Sequence, residues 1–237
     1  MVLDVPASAR RAVSQSQDTT SERNLTWQLL QPRERRWRAL GQRPVIAWLT
    51  GLSGAGKSSI ADVVDRALTK AGRASMIIDG DNLRQGLNRD LGFSDVDRRE
   101  NIRRAAEVAR LMAESGLVTI VSMISPFRAE REVVREISGD TSFLEVFVDT
   151  PLRLCEARDP KGLYGRARSG EIANFTGISA PYEVPLQPDL TLSTAGRCVD
   201  ASAQPLIDTL VRLSAPHSRF AKSIDSNTGN PAVAMSL

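Results

Sequence analysis

The residues Gly51-Leu-Ser-Gly-Ala-Gly-Lys57-Ser58 satisfy the pattern G-x-x-x-x-G-K-[ST] in full. Residues of these types at this spacing can cradle a row of phosphates. Glycines let the backbone wrap until several N–H groups face one phosphate, and a helix that follows adds the positive end of its dipole. A lysine at position 57 can reach the β- and γ-phosphates, and the hydroxyl at 58 can ligate Mg²⁺. The sequence therefore offers Ser53, Gly54, Ala55, Gly56, Lys57, Ser58 and Ser59 as contacts to ATP. Two carboxylates compete for the place beside that loop. Asp149 follows Leu-Glu-Val-Phe-Val and precedes Thr-Pro, which points to capping of a helix. Asp79 follows Ser-Met-Ile-Ile and opens Asp79-Gly-Asp81-Asn82, polar groups at the carboxyl end of a strand, where open α/β sheets bind ligands. A solvated Asp/Gly turn is the plainer alternative there, but its position favours function.

The single histidine, His217, lies in Ala-Pro-His-Ser beyond the last helical pattern. A general base in this chain is therefore expected to be a carboxylate, and Ser-His-Asp hydrolysis or a histidine metal site is a poor fit.

These residues need a scaffold, and the hydrophobic pattern supplies one. Val45–Thr50, Ser75–Asp79, Leu117–Met123, Phe143–Val148 and Asp189–Ser193 read as buried strands. Helices are expected from Ser58 to about Lys70, from a Ser94 cap to Gly116, after Thr150-Pro151 with the proline at the first helical position, and from Ala203 to Leu213. Pro32–Leu40 reads as a short basic helix packed through Trp37 and Leu40. Strands alternating with helices mean right-handed crossovers, so the expected fold is α/β with a mainly parallel five-stranded sheet in a three-layer sandwich. Residues 1–25 lack periodicity and read as a disordered arm. Residues 26–214 read as one P-loop domain, and 215–237 as a flexible tail.

A chain of 237 residues suits one such domain. Its net charge of +3 fits an anionic small molecule and supports nucleic-acid binding only weakly. The cysteines Cys155 and Cys198 give no disulfide framework, and no apolar run is long enough to span a membrane. A cytoplasmic enzyme, with neither nucleic acid nor membrane as partner, is the expectation. A nucleotide-switch GTPase would need an Asn-Lys-x-Asp reader, and the sequence contains none.

From about Thr26 to Leu213 the chain resembles the adenylylsulfate kinase family, whose members phosphorylate the 3′-hydroxyl of adenosine 5′-phosphosulfate. The resemblance rests on Trp48–Ser58, Asp79-Gly-Asp-Asn-Leu-Arg-Gln-Gly-Leu87, Asp90–Asp95 and Arg98-Arg-Glu-Asn-Ile-Arg-Arg104. It continues through Ile124-Ser-Pro126, Val146–Pro151, Arg158-Asp-Pro-Lys-Gly-Leu-Tyr164 and Asn174-Phe-Thr-Gly-Ile178. It implies ATP as co-substrate, Mg²⁺ held by Ser58 and Asp79, and catalytic roles for Lys57, Asp79 and Ser125. It places Asp81, Asn82, Arg84, Arg98, Asn101, Ile124, Ser125, Lys161 and Asn174 at the acceptor, with Phe93 and Phe175 on either side of its adenine. In the family the serine matching Ser125 is often described as a phosphoserine intermediate. In-line transfer between two bound nucleotides needs no covalent relay, so an acceptor-contacting hydroxyl is the reading preferred here. The resemblance also implies a homodimer and a sulfurylase partner. Residues from about 158 to 185 are polar, contain glycine and are poor in core residues, which suits a mobile lid. Departures include Gly165-Arg166 where the family has two lysines and Ser179-Ala-Pro where Asp-Ser is common.

Overall fold

The structure is a computed structural model that describes residues 31–216. From Arg33 onward the described residues fall in one compact unit. The expected arm at 1–25, His217 and nearly all of the expected tail lie outside the described residues.

Strand β1 (Val45–Thr50) is buried along its whole length. Because successive side chains point to opposite faces of a strand, this run divides the core in two. Val45, Ala47 and Leu49 join one apolar cluster with Ile60, Val64, Leu68, Leu206 and Leu210. Ile46 and Trp48 join the other with Ile102, Ala105, Ala106 and Ala109. The sheet runs β2 (Ser75–Asp79), β3 (Val118–Ser122), β1, β4 (Ser142–Asp149), β5 (Leu190–Ser193), with every pairing parallel. Helices cover both faces, so the expected three-layer sandwich is the observed one.

The helices are α1 (Arg33–Leu40), α2 (Lys57–Lys70), α3 (Gly80–Gln85), α4 (Asp95–Ser115), α5 (Arg128–Ser138), α6 (Leu152–Arg158), α7 (Leu163–Arg168) and α8 (Val199–Leu213). The α4 boundaries follow from its caps. Ser94 Oγ accepts from Asp97 N at 3.2 Å while donating to Asp97 Oδ2 at 2.7 Å. Gly116 ends the helix at φ +106°, and a Cβ there would lie 2.8 Å from Leu40 Cδ1. Glycine is thus favoured by the left-handed cap. The α1 helix docks as expected, with Trp37 Nε1 donating to Glu114 O at 3.3 Å.

Three helices escape the apolar pattern, and each has a reason. The inward face of α5 includes Glu130 and Arg131 besides Val134 and Ser138, so its buried stripe carries charge where an apolar one would be looked for. Helix α3 is a single short turn-and-a-half capped by Asp79, and α7 lies inside the polar segment read as a lid. Two boundaries also shift. Pro151 is the N-cap of α6 instead of its first helical residue, and no side chain caps that helix, so Asp149 does not take the capping role expected of it. Helix α8 starts at Val199 and carries Pro205 inside it, since burial of Ser202, Ala203, Leu206 and Leu210 offsets the lost backbone bond.

Candidate active site

The phosphate loop leaves the buried end of β1 and closes on the N-terminus of α2. Its carbonyls are held by side chains one after another. Lys57 Nζ donates to Gly51 O at 2.8 Å and Leu52 O at 2.7 Å. Tyr164 Oη donates to Ser53 O at 2.9 Å, and Arg158 Nη1 reaches Gly54 O at 3.4 Å and Ala55 O at 3.3 Å. Thr150 Oγ1 also donates to Ala55 O, at 3.0 Å. In a trans peptide the N–H points opposite to the carbonyl before it. Fixing these oxygens against the protein therefore turns the N–H groups of Ser53, Gly54 and Gly56 to the other side, where an anion can collect them. The Ala55 N–H is engaged within the loop, at Leu52 O, 3.2 Å away. Gly54 has φ +70°, and a Cβ on it would stand 3.0 Å from Cys155 O.

Lys57 is 8% exposed, and burial pulls its pKa down to about 8, against the opposing pull of Cys155, Asp79 and Asp81. A lysine so desolvated gains more from an arriving phosphate than one already surrounded by water. Next to it in sequence, Ser58 Oγ donates to Asp79 Oδ2 at 2.7 Å and lies 3.1 Å from Ser122 Oγ. The pairing of Asp79 with Ser122 and of Leu49 with Ser122 explains this meeting. The three strands end level, and β3, lying between the other two, ends in a small hydroxyl that leaves room for a carboxylate from one strand further out.

No group of three or more His, Cys, Asp or Glu residues that could hold a metal occurs among the described residues. The Ser58 hydroxyl and Asp79 carboxylate nevertheless fit a small hard cation, since Mg²⁺ keeps its waters and is bound through few protein oxygens plus substrate phosphates.

Asp79 also heads the acceptor candidates. Its Oδ1 accepts from Asp81 N at 2.9 Å and Asn82 N at 3.5 Å, which caps α3 and fixes the carboxylate. The plainer turn-capping role is thus met by Oδ1, while Oδ2 accepts from Ser58. Lys161 forms an ion pair with Asp81, joining the 158–185 segment to α3. Arg84 and Arg98 flank Phe93, with guanidinium carbons 4.6 Å and 6.0 Å from the ring centroid. Arg98 donates to Phe93 O at 2.9 Å and to Asn174 O at 3.1 Å, so it bridges the two aromatic-bearing segments.

The two phenylalanines differ. Phe93 is 68% exposed, whereas Phe175 is 8% exposed and meets Tyr164 edge-on with centroids 5.0 Å apart. Asn101 is also buried, its Oδ1 accepting from Asn88 Nδ2 at 2.8 Å. Ile124 O accepts from Thr50 Oγ1 at 2.7 Å. Ser125 is 2% exposed at φ +38°, and its Oγ accepts from Trp48 Nε1 at 3.0 Å. Asn174 has φ +52°. Left-handed backbone at a residue other than glycine costs on the order of 1 kcal/mol and persists only where the surroundings enforce it.

The model of the adenylylsulphate kinase family matches residues 43–193, more than half of the chain. The chain belongs to that family. It is 55% identical to the adenylyl-sulfate kinase of Aeromonas hydrophila over 170 residues, which are 72% of this chain and 86% of that one. It is 56% identical to the bifunctional enzyme NodQ of Rhizobium sp. (strain N33) over 188 residues, 79% of this chain but only 28% of that longer protein. A solved structure of the Mycobacterium tuberculosis APS kinase CysC, in complex with AMPPNP and APS, is 52% identical and superimposes with a TM-score of 0.69 over 71% of this chain and 98% of that one.

Several residues that pattern reading did not single out shape the candidate site. Tyr164, Thr150 and Arg158 hold the loop carbonyls, Ser122 Oγ lies beside Ser58 Oγ, and Trp48 donates to Ser125. Arg158 and Tyr164 were visible only as members of a matching block. Trp48 and Ser122 read as ordinary strand residues, and nothing in their spacing marks them.

Proposed function

We propose that this chain transfers the γ-phosphoryl group of ATP directly to the 3′-hydroxyl of adenosine 5′-phosphosulfate, giving 3′-phosphoadenosine 5′-phosphosulfate and ADP. The observation that carries the reading is the 2.7 Å contact between Ser58 Oγ and Asp79 Oδ2. One carboxylate touches the end of the phosphate loop and heads the acceptor turn, so the donor phosphate and the acceptor hydroxyl would meet at Asp79.

Ser53, Gly54 and Gly56 present backbone N–H groups to the triphosphate, and Lys57 supplies the charge that offsets what builds on the transferring group. Ser58 and Asp79 would hold Mg²⁺, which when bound adds positive charge between the phosphates. Asp79, already fixed by two backbone amides, orients the attacking hydroxyl. Arg84, Arg98 and Lys161 offer charge-assisted bonds to the phosphosulfate, and Phe93 offers an open ring face to the adenine.

Direct transfer is favoured by the surroundings of Ser125. Its Oγ accepts from an indole N–H that can only donate, which leaves its own proton to donate outward. That suits an acceptor-binding hydroxyl, whereas a nucleophile needs a base to take its proton.

Residues 158–185 close over the two nucleotides as a lid and exclude water from the donor. The two free cysteines, one buried and one exposed, agree with a reducing cytoplasm, and no helix among the described residues is long and apolar enough to cross a membrane. A homodimer is proposed on the family resemblance, as is a sulfurylase partner that makes the acceptor. The latter agrees with a kinase region that is only 28% of a bifunctional relative.

The deciding experiment follows ADP release over a panel of alcohols and nucleotides. The expected result is turnover with adenosine 5′-phosphosulfate and little with adenosine 5′-phosphate or simple sugars. Equal rates across the panel would remove the substrate assignment.

A further inference from the structure

Beneath Ser125 lies a buried polar group to which neither the pattern nor the catalytic reading gives a task. Arg131, on the inward face of α5, has a side chain only 3% exposed. Its guanidinium donates in three directions. Nε reaches Glu145 Oε1 at 2.6 Å, Nη1 reaches Ser125 O at 2.7 Å, and Nη2 reaches Glu183 O at 2.7 Å. A buried guanidinium is tolerated only when paired and fully bonded, and Glu145 on β4 supplies the countercharge.

What the other two bonds join is informative. Ser125 O belongs to the residue at φ +38° whose hydroxyl meets Trp48. Glu183 O belongs to the distal end of the 158–185 segment. That end is fastened to the same turn by further bonds. Glu183 N donates to Pro126 O at 2.8 Å, Arg128 N donates to Glu183 Oε2 at 2.8 Å, and Arg128 Nε donates to Val184 O at 2.9 Å. Tyr182 Oη lies 3.0 Å from Thr50 Oγ1, which itself donates to Ile124 O, and its ring stacks on Phe147 with centroids 6.2 Å apart.

We propose that Arg131 is a positioning residue for the acceptor nucleotide. One rigid guanidinium fork holds the strained Ser125 turn and the strap 182–184 in a single geometry, so that the acceptor-facing hydroxyl and the seat of the lid segment are set together. Planarity matters here. An ammonium can keep the charge opposite Glu145 but cannot hold two carbonyls at the fixed angles of a guanidinium. None of Arg131's bonds reaches residues 51–58, so the donor side is spared. The inference rests on the acceptor lying at Ser125, as proposed above.

The test compares Arg131→Lys and Tyr182→Phe with the unaltered full-length protein, using steady-state kinetics and amide hydrogen exchange. For Arg131→Lys the expected result is a rise of about tenfold or more in KM for adenosine 5′-phosphosulfate, the scale of a lost charge-assisted bond, with KM for ATP within about twofold. Exchange at 182–184 should accelerate while the amides of β1 stay protected. Tyr182→Phe removes one hydroxyl and should give the same split on a smaller scale, about threefold, and it carries the test if the buried lysine does not fold. Equal shifts in both KM values would overturn the inference in favour of a purely structural role. Faster exchange with no change in acceptor KM would also overturn it, and would locate the fault in the acceptor's placement at Ser125. Unchanged exchange at 182–184 would overturn the coupling itself, whatever the substrate.

Discussion

The donor and acceptor halves of the proposed site are built in opposite ways. The phosphate loop is a run of consecutive residues whose carbonyls from Gly51 to Ala55 are each held by a side chain, that of Lys57 within the loop or those of Thr150, Arg158 and Tyr164 outside it. The acceptor half gathers residues from α3, α4, the turn after β3 and the 158–185 segment. There the candidate side chains bond chiefly to one another and to nearby carbonyls, as in the Lys161–Asp81 pair and the reach of Arg98 to Phe93 O and Asn174 O. The contrast teaches that a phosphate can be read by backbone alone, because every peptide carries a donor. A particular nucleotide must instead be read by side chains brought from several places.

If the comparison is right, the largest loss comes from the donor half. Lys57→Ala should keep the fold and lower kcat/KM by about a thousandfold or more, since it removes charge stabilisation from the transferring group. A variant that turns over near the wild-type rate would break the assignment of the loop.

The second prediction sets the shared residue against an acceptor residue. Asp79→Ala touches both halves and should cost far more than Ser125→Ala. The latter should lose about ten- to a hundredfold in kcat/KM with clear residual turnover. A chiral γ-phosphate should emerge inverted, as one in-line step requires. Retention of configuration, with phosphoserine at 125 when ATP is supplied alone, would replace direct transfer by a relay.

The third separates the two phenylalanines, which exposure distinguishes so sharply. Phe93→Ala should weaken acceptor binding by about 1–3 kcal/mol, the scale of one base stack, and leave ATP binding alone. Phe175→Ala opens the packing against Tyr164 and should lower stability by about 3–5 kcal/mol, read as a fall in the unfolding midpoint. Equal acceptor losses without any loss of stability from Phe175→Ala would restore a symmetrical clamp.

The smallest effect concerns pH. Lys57 titrates near 8 in the free protein, so kcat/KM for ATP should fall about tenfold per unit above that value. Bound phosphates favour the charged amine, so the corresponding limb of kcat should lie at higher pH. The stability effect has the opposite sense. A lysine depressed from 10.5 to about 8 holds its proton more weakly when folded, so its contribution to stability should improve between those values as pH rises. A kcat/KM profile flat to pH 9.5 would remove Lys57 from charge stabilisation of the donor.

Sequence alone determined the strands, the loop and the carboxylate that ends β2, because each rests on local chemistry: a buried run of apolar residues, glycines at fixed offsets, a cap at a strand end. The family blocks added the candidate acceptor residues by order and spacing. Tertiary structure decided which of those face outward. Phe93 stands open while Phe175 and Asn101 turn inward, a difference that no periodicity encodes, because burial depends on what packs against each residue. It also brought together residues far apart in the chain, Ser58 with Asp79, Trp48 with Ser125, and Arg131 with Ser125, Glu145 and Glu183. Helix α5 shows why such residues stay hidden in a sequence. A charge buried for a reason looks, in one dimension, like a charge meant for water, and only the partners folded around it distinguish the two.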